Sequence, residues 1–260
     1  MRDMLLSATD WAFWPKAKDP DSYYACLKRL GYAGVEMVKP ARWAQARAAG
    51  LSILNISAPG MARGLNRREH HAELLPQLRD TIALAGANGI PQVVVFSGNR
   101  AGQPNAEGIA NCRIGLEAVL PDALRQHVTL VFEMLNSYEH VDYQADQGAY
   151  GFELVRQINS PGLRLLYDIY HMERMGEACR RDIIAHLPAI AHFHVADTPR
   201  RTKPQRDGGL DYSKIVPAVI QAGYQGFWGM EFMPQNDPLA ELAEARAYLI
   251  AAGSDKRNTD

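Results

Sequence analysis

The sequence predicts an α/β protein built as a single (β/α)₈ TIM barrel. Three observations carry that expectation. Short apolar runs of strand type alternate along the whole chain with segments of helical period. There are eight such runs in 260 residues, a length that one barrel fills. Neither GxGxxG nor GxxxxGK[ST] follows any of them, so the fingerprints of the competing doubly wound nucleotide-binding sheet are missing.

The runs are MLLSA (4–8), GVEMV (34–38), LSILNIS (51–57), QVVVFSG (92–98), VTLVFEM (128–134), LRLLYDI (163–169), AIAHFHV (189–195) and GFWGMEF (226–232). Most are continuously apolar rather than alternating, as strands covered on both faces must be. One helix is expected over His71–Ala87, with Leu74, Leu75, Leu78, Ile82 and Ala85 on one face. A second carries Ile109, Cys112, Leu116 and Leu120, and a third Leu239, Leu242 and Leu249. Gly31, Gly50, Gly89 and Gly223 stand where helices should hand over to strands. No change of composition marks a linker, so residues 1–253 read as one catalytic domain and 254–260 as a polar tail.

Bulk properties narrow the function classes. A formal net charge of −1 offers no general attraction to nucleic acid or an anionic membrane. No apolar run approaches the roughly 20 residues of a membrane span, and no signal-peptide core follows Met1. Three scattered cysteines (Cys26, Cys112, Cys179) form neither a CxxC nor a disulfide framework. The expectation is a cytoplasmic protein acting on a small molecule, without nucleic-acid or membrane partners.

Barrel active sites lie at the carboxyl ends of the strands. There the fifth predicted strand ends in Glu133 and the sixth in Asp168, with His171 three residues on. The seventh ends in His194, with His192 on the same face, and the eighth in Glu231. Alone, each acid reads equally as a buried charge met by a lysine, an arginine or backbone amides. Together, three carboxylates and an imidazole on one rim repel unless a cation lies among them. Oxygen-rich ligation with one imidazole suits Mg²⁺ or Mn²⁺, with Co²⁺ also accommodated, better than structural zinc. Metal ligands are therefore expected at Glu133, Asp168, His194 and Glu231.

Other polar residues fall near that rim. Arg200 and Arg201 share a loop with Lys203 and Arg206, which reads either as a solvated stretch or as a grip on a substrate carboxylate. Glu36, ending the second predicted strand, Asn55 on the third, and His192 are candidate substrate-lining residues, Glu36 reading equally as satisfied by a neighbouring strand and His192 as a hydrogen-bonded wall residue. His171 either orients substrate or belongs to a helix N-cap. Trp11, Phe13 and Trp14 follow the first strand, where they would cover the mouth of the site or form a homo-oligomer contact.

The segments LNISAPG (54–60), VFEMLNS (131–137), LLYDIYHMERMGE (165–177) and LDYSKIVPAVIQAGYQGFWGMEFMP (210–234) resemble the xylose-isomerase-like TIM-barrel superfamily. Within it they are similar to the hydroxypyruvate isomerases and the ketose 3-epimerases. Glu133 and Asn136 match the isomerases' Glu-Pro-x-Asn turn, with Met134 in place of the proline. Hydroxypyruvate isomerases usually carry glutamine where this chain has His194. Ketose 3-epimerases carry histidine there, in a similar His-Phe-His run, with an arginine six residues on, here Arg200. The isomerase arginine lies seven on, here Arg201. The loop RTKPQRDGGLDY keeps the isomerases' proline and lacks their glutamate.

The resemblance implies proton transfer between adjacent carbons of an α-hydroxy carbonyl through a cis-enediolate, with Glu133 and Glu231 as acid and base. It implies a hydroxypyruvate isomerase or, as the alternative, a ketose 3-epimerase. A DNA-repair nuclease of the endonuclease IV type is the remote third reading. It would require further histidine and acid ligands and a basic face. A barrel that keeps the metal site without turnover is the non-enzymatic alternative.

Overall fold

A computed structural model describes residues 4–254 of the chain. Nine strands are present: β1 (Leu5–Thr9), β2 (Gly34–Glu36), β3 (Ser52–Ile53), β4 (Asn55–Ser57), β5 (Gln92–Phe96), β6 (Thr129–Glu133), β7 (Leu163–Asp168), β8 (Ile190–Val195) and β9 (Phe227–Met230). The described residues gather into two compact units.

The first unit comprises the chain up to Leu54, Ala178–Leu187 and the chain from His192 onward. Its strands neighbour one another in the order β3, β2, β1, β9, β8, every pair parallel. The first strand is thus bonded to the last, with Leu5 opposite Phe227 and Ser7 opposite Gly229. That pairing belongs to a closed (β/α) barrel and excludes the doubly wound alternative, in which the first strand lies inside an open sheet. Phe193 packs edge-on to Tyr224 and stacks on Trp228, with ring centroids 4.6 and 4.9 Å away. Gly50 and Gly223 end helices with φ of 77° and 101°, a conformation that costs other residues strain.

The second unit comprises Asn55–Glu177 and Pro188–Ala191, with parallel strands in the order β7, β6, β5, β4. Val93, Val94, Val95, Leu130, Val131, Phe132, Leu165 and Leu166 are all buried, which explains why these strands read as unbroken apolar runs.

The elements depart from expectation in several places, two of them with a clear local cause. The predicted strand 51–57 is two pieces because the chain changes partners at Leu54. Its amide donates to Val35 O, whereas Asn55 already lies opposite Gln92. The second strand stops at Glu36 because Met37 adopts φ 52°, outside the strand region. Leu120 starts a separate helix, Leu120–Arg125, after the helix Asn105–Glu117 has ended. The helix expected from His71 begins at Arg68, and the last runs Pro238–Ser254. Of the predicted tail 254–260, Ser254 closes that helix and the rest lies outside the described residues. Among the described residues no helix is long and apolar enough to cross a membrane, and the three cysteines are not in disulfides.

Candidate active site

In the first unit the strand ends deliver a buried cluster built around His194. His194 is the fifth residue of β8 and lies opposite Gly229 of β9. Its Nε2 is 3.0 Å from Glu36 Oε2, and its Nδ1 is 2.9 Å from Glu231 Oε2. Both ring nitrogens therefore face carboxylates. His192, two residues earlier on the same face, places Nε2 2.9 Å from the same Glu36 oxygen but out of hydrogen-bond alignment. The other oxygen of Glu36 accepts from Ser7 Oγ at 2.6 Å. Glu36 is wholly buried. Burial alone would raise its pKa, but the two imidazoles beside it hold the carboxyl well below the usual carboxylate range.

Glu231 follows β9 and is fixed through its backbone, whose amide donates to Val195 O at 3.1 Å. Its Oε1 accepts from Trp11 Nε1 at 3.0 Å, and Arg201 Nη2 holds Oε2 in a close ion pair. Arg201 Nε also donates to Glu231 O, and Arg201 O accepts from Met233 N, so the two loops are tied twice. Arg201 adopts φ 54°, a left-handed conformation that costs a non-glycine residue roughly 1 kcal/mol or more. The charged pairing with Glu231 offsets that strain.

The arginine pair thus divides: Arg201 is mostly buried on Glu231, whereas Arg200 is exposed. Lys203 pairs with Glu244 and Arg206 is exposed, so most of the basic loop is solvated.

The residues after β1 also divide. Phe13, expected at the mouth or in a subunit contact, is instead wholly buried against Phe232, with centroids 4.8 Å apart. Trp11 stays partly exposed and donates to Glu231. Trp14 lies under the Arg42 guanidinium, 3.9 Å from its ring centroid. This loop is anchored by Asp10, wholly buried, which accepts from Tyr24 Oη at 2.7 Å and pairs closely with Arg42. Arg42→Ala strands that carboxylate, a loss worth about 3 kcal/mol when one partner of a buried pair is removed. Urea unfolding should show it, with loosened Trp11 fluorescence in the native baseline. Unchanged stability would mean that the pair does not hold the loop.

In the second unit, Glu133 ends β6 almost fully buried. Its carbonyl accepts from Tyr143 Oη at 2.8 Å, and that phenol in turn accepts from Ser97 N at 2.9 Å. Burial raises the Tyr143 pKa, so the phenol keeps the proton that this bond uses. Asp168 ends β7 and caps the helix Ile169–Arg174, with Oδ1 accepting from His171 N at 3.1 Å. The N-cap reading of this turn therefore holds for the His171 backbone. The ring is also engaged: Nδ1 is 2.6 Å from Asn136 Nδ2 and 3.2 Å from Asn136 N, while Nε2 is 3.5 Å from Asp168 Oδ2. Both Asn136 groups are donors, so Nδ1 accepts and the neutral ring carries its proton on Nε2. Asn136 Oδ1 accepts from the amides of Tyr138 and Glu139, closing the turn after β6. Asn55 is wholly buried at the first position of β4.

Several of these side chains are of types that could hold a cation. A neutral imidazole has one N–H, and His194 faces a carboxylate oxygen with each nitrogen. With the proton shared toward Glu36, the Nδ1 lone pair confronts the Glu231 carboxylate. Acceptor facing acceptor is repulsive until a proton or a metal ion joins them. Glu133, Asp168, His194 and Glu231 each offer a ligand atom of suitable type.

A family model described as the xylose isomerase-like TIM barrel matches residues 25–252. The chain belongs to that family. A curated family relative, the putative hydroxypyruvate isomerase of Mus musculus, is 25% identical over 92% of each chain. With the putative hydroxypyruvate isomerase of Xenopus laevis the match is 30% identical but shorter, spanning 41% of this chain and 38% of that protein. Among solved structures, an L-ribulose 3-epimerase superposes with a TM-score of 0.80 at 18% identity, covering 98% of this chain and 100% of that one. The IOLI protein, solved with a zinc atom bound, superposes with a TM-score of 0.79 at 15% identity, covering 96% and 98%. At these identities the two structures establish the fold.

Against that family background, two residues of the site carry no signal that spacing alone could reveal. Ser7 looks like any small strand residue, and Trp11 like loop cover. Asn136 was visible as part of the Glu-x-x-Asn turn, but its contact with His171 was not.

Proposed function

We propose that this protein is a divalent-metal-dependent isomerase of a small hydroxy-keto acid or sugar, of the hydroxypyruvate/tartronate semialdehyde type. Glu133, Asp168, His194 and Glu231 hold the cation, and Mg²⁺ or Mn²⁺ suits a set of three carboxylates and one imidazole. The observation that carries the reading is the His194–Glu231 pair, an imidazole nitrogen and a carboxylate oxygen brought to 2.9 Å at the ends of neighbouring strands. The zinc reported for the IOLI protein agrees with a metal in this fold.

When bound, the cation polarises the substrate oxygens and stabilises the charge that develops on them. The chain supplies the proton transfers. One of Glu133 and Glu231 takes the carbon-bound proton while the neighbouring hydroxyl loses its own, giving a cis-enediolate; the other Glu returns a proton to the adjacent carbon and the hydroxyl proton passes to the former carbonyl oxygen. Trp11 and Arg201 aim the Glu231 carboxylate, and Tyr143 fixes the backbone beneath Glu133. His171, with its proton on Nε2, polarises a substrate hydroxyl or carbonyl, and Asn136 keeps it in that form. Arg200, exposed at the loop, is the guanidinium left to meet a substrate carboxylate. The cytoplasm is the proposed compartment.

A ketose 3-epimerase using the same acid–base pair is the second reading, favoured by His194 in its His-Phe-His run. Incubation with Mn²⁺ and either hydroxypyruvate or a set of ketoses, followed by product NMR, separates the two. Formation of tartronate semialdehyde is expected. Ketose epimers without it would replace the isomerase by the epimerase, and neither product would remove both.

A further inference from the structure

Beside His194 lies a charge that the mechanism above does not use. Glu36 is wholly buried at the end of β2, where a carboxylate is costly unless it serves a partner. One oxygen is occupied by the Ser7 hydroxyl at 2.6 Å, and the other receives His194 Nε2 at 3.0 Å. His192 crowds the same oxygen, its ring at 86° to that of His194 with centroids 5.3 Å apart. Four strands contribute to this arrangement, because Ser7 lies opposite both Gly34 and Gly229, and Gly229 lies opposite His194. Gly229 leaves the space: a Cβ there would lie 2.3 Å from Glu36 Oε1 and 2.9 Å from His192 Nε2.

We infer that Glu36 is a positioning residue that sets the tautomer and the aim of His194 for metal binding. The inference rests on the reading of His194 as a metal ligand. An ionised carboxylate can only accept, so the bond at 3.0 Å keeps the His194 proton on Nε2. The Nδ1 lone pair is then directed at the side where Glu231 lies, 2.9 Å away. Neutral imidazoles in solution exchange between tautomers, and the wrong one would turn an N–H toward the cation. A carboxylate behind a ligating histidine also raises the basicity of the nitrogen in front. Glu36 reaches no substrate in this role. Its lining function is replaced by one exerted through His194, and Ser7 holds it in register.

The test uses the full chain with ¹⁵N-labelled histidine. Two-bond ¹H–¹⁵N spectra report the tautomer of each ring in the metal-free protein, and the His194 signals are those lost in His194→Gln. The expected wild-type result is the Nε2–H form. In Glu36→Gln, which keeps the volume and removes the charge, that preference should be lost, and Mn²⁺ affinity should fall by about 10- to 100-fold with the stoichiometry still one. Ser7→Ala, a milder change in case Glu36→Gln folds poorly, should move both readouts the same way by a few-fold.

An unchanged tautomer in Glu36→Gln, or an affinity within threefold of wild type in that folded variant, would overturn the inference. So would loss of one of two bound ions, which would make Glu36 a ligand rather than a positioning group. If wild type and His194→Ala bind Mn²⁺ alike, the metal-ligand reading of His194 fails and this inference with it. The wild-type tautomer spectrum then tells that failure apart from a fault in the Glu36 contact.

Discussion

Glu133→Gln and Glu231→Gln are each expected to lower turnover by about 10³-fold or more while leaving the barrel folded. Glutamine matches glutamate in size but cannot take or return a proton near neutral pH, and proton transfer by a placed side chain is commonly worth about 10²- to 10⁴-fold. Glu231→Gln has a second expected readout. Glu231 is held by Trp11 and by the Arg201 ion pair, so its neutralisation leaves the Arg201 guanidinium without its counter-charge. Glu231→Gln should therefore also lower thermal stability, by loss of the Trp11 and Arg201 contacts. Steady-state kinetics beside circular dichroism and thermal unfolding would check both. Full activity in either variant would remove that residue from the acid–base pair.

Gly229→Ala should be nearly as damaging, without touching any reacting group. The new methyl would stand 2.3 Å from Glu36 Oε1, 2.9 Å from His192 Nε2 and 3.0 Å from His194 Cδ2. None of these is the free end of a flexible surface chain; all three residues are buried. The strand or the cluster must shift, which costs about 1–3 kcal/mol of stability in a well-packed interior. Displacing the ring of His194 should also weaken Mn²⁺ binding by about 10- to 100-fold, the usual cost of disturbing the support of a ligand. Urea unfolding and Mn²⁺ titration of the same preparation measure the two effects. Stability and affinity both indistinguishable from wild type would show that the cluster has slack that the distances deny.

Much of the fold was legible because strands buried on both faces leave continuous apolar runs, as in QVVVF and LRLLY. The break in the third run was not, since the change of partner at Leu54 depends on where β2 and β5 lie. Nor was the early end of β2, because methionine gives no hint of a left-handed conformation. The candidate ligands were proposed from their positions at strand ends, where barrel active sites lie. Their supports were not legible. Glu36 meets His194 across 158 residues of sequence, and Trp11 meets Glu231 across 220. No local pattern encodes a pairing that only closure of β1 on β9 creates. Arg201 illustrates the same point. Its type suggested an anion partner, and the structure supplies one from the chain itself, Glu231.

The central claim is that the protein moves a carbon-bound proton of a small hydroxy-keto compound, and solvent exchange measures it most directly. Metal-loaded protein in D₂O with hydroxypyruvate should place deuterium at the carbon adjacent to the carbonyl, at a rate that Glu133→Gln and Glu231→Gln abolish. No deuterium in hydroxypyruvate or in any of the ketoses, with the metal bound, would contradict the account.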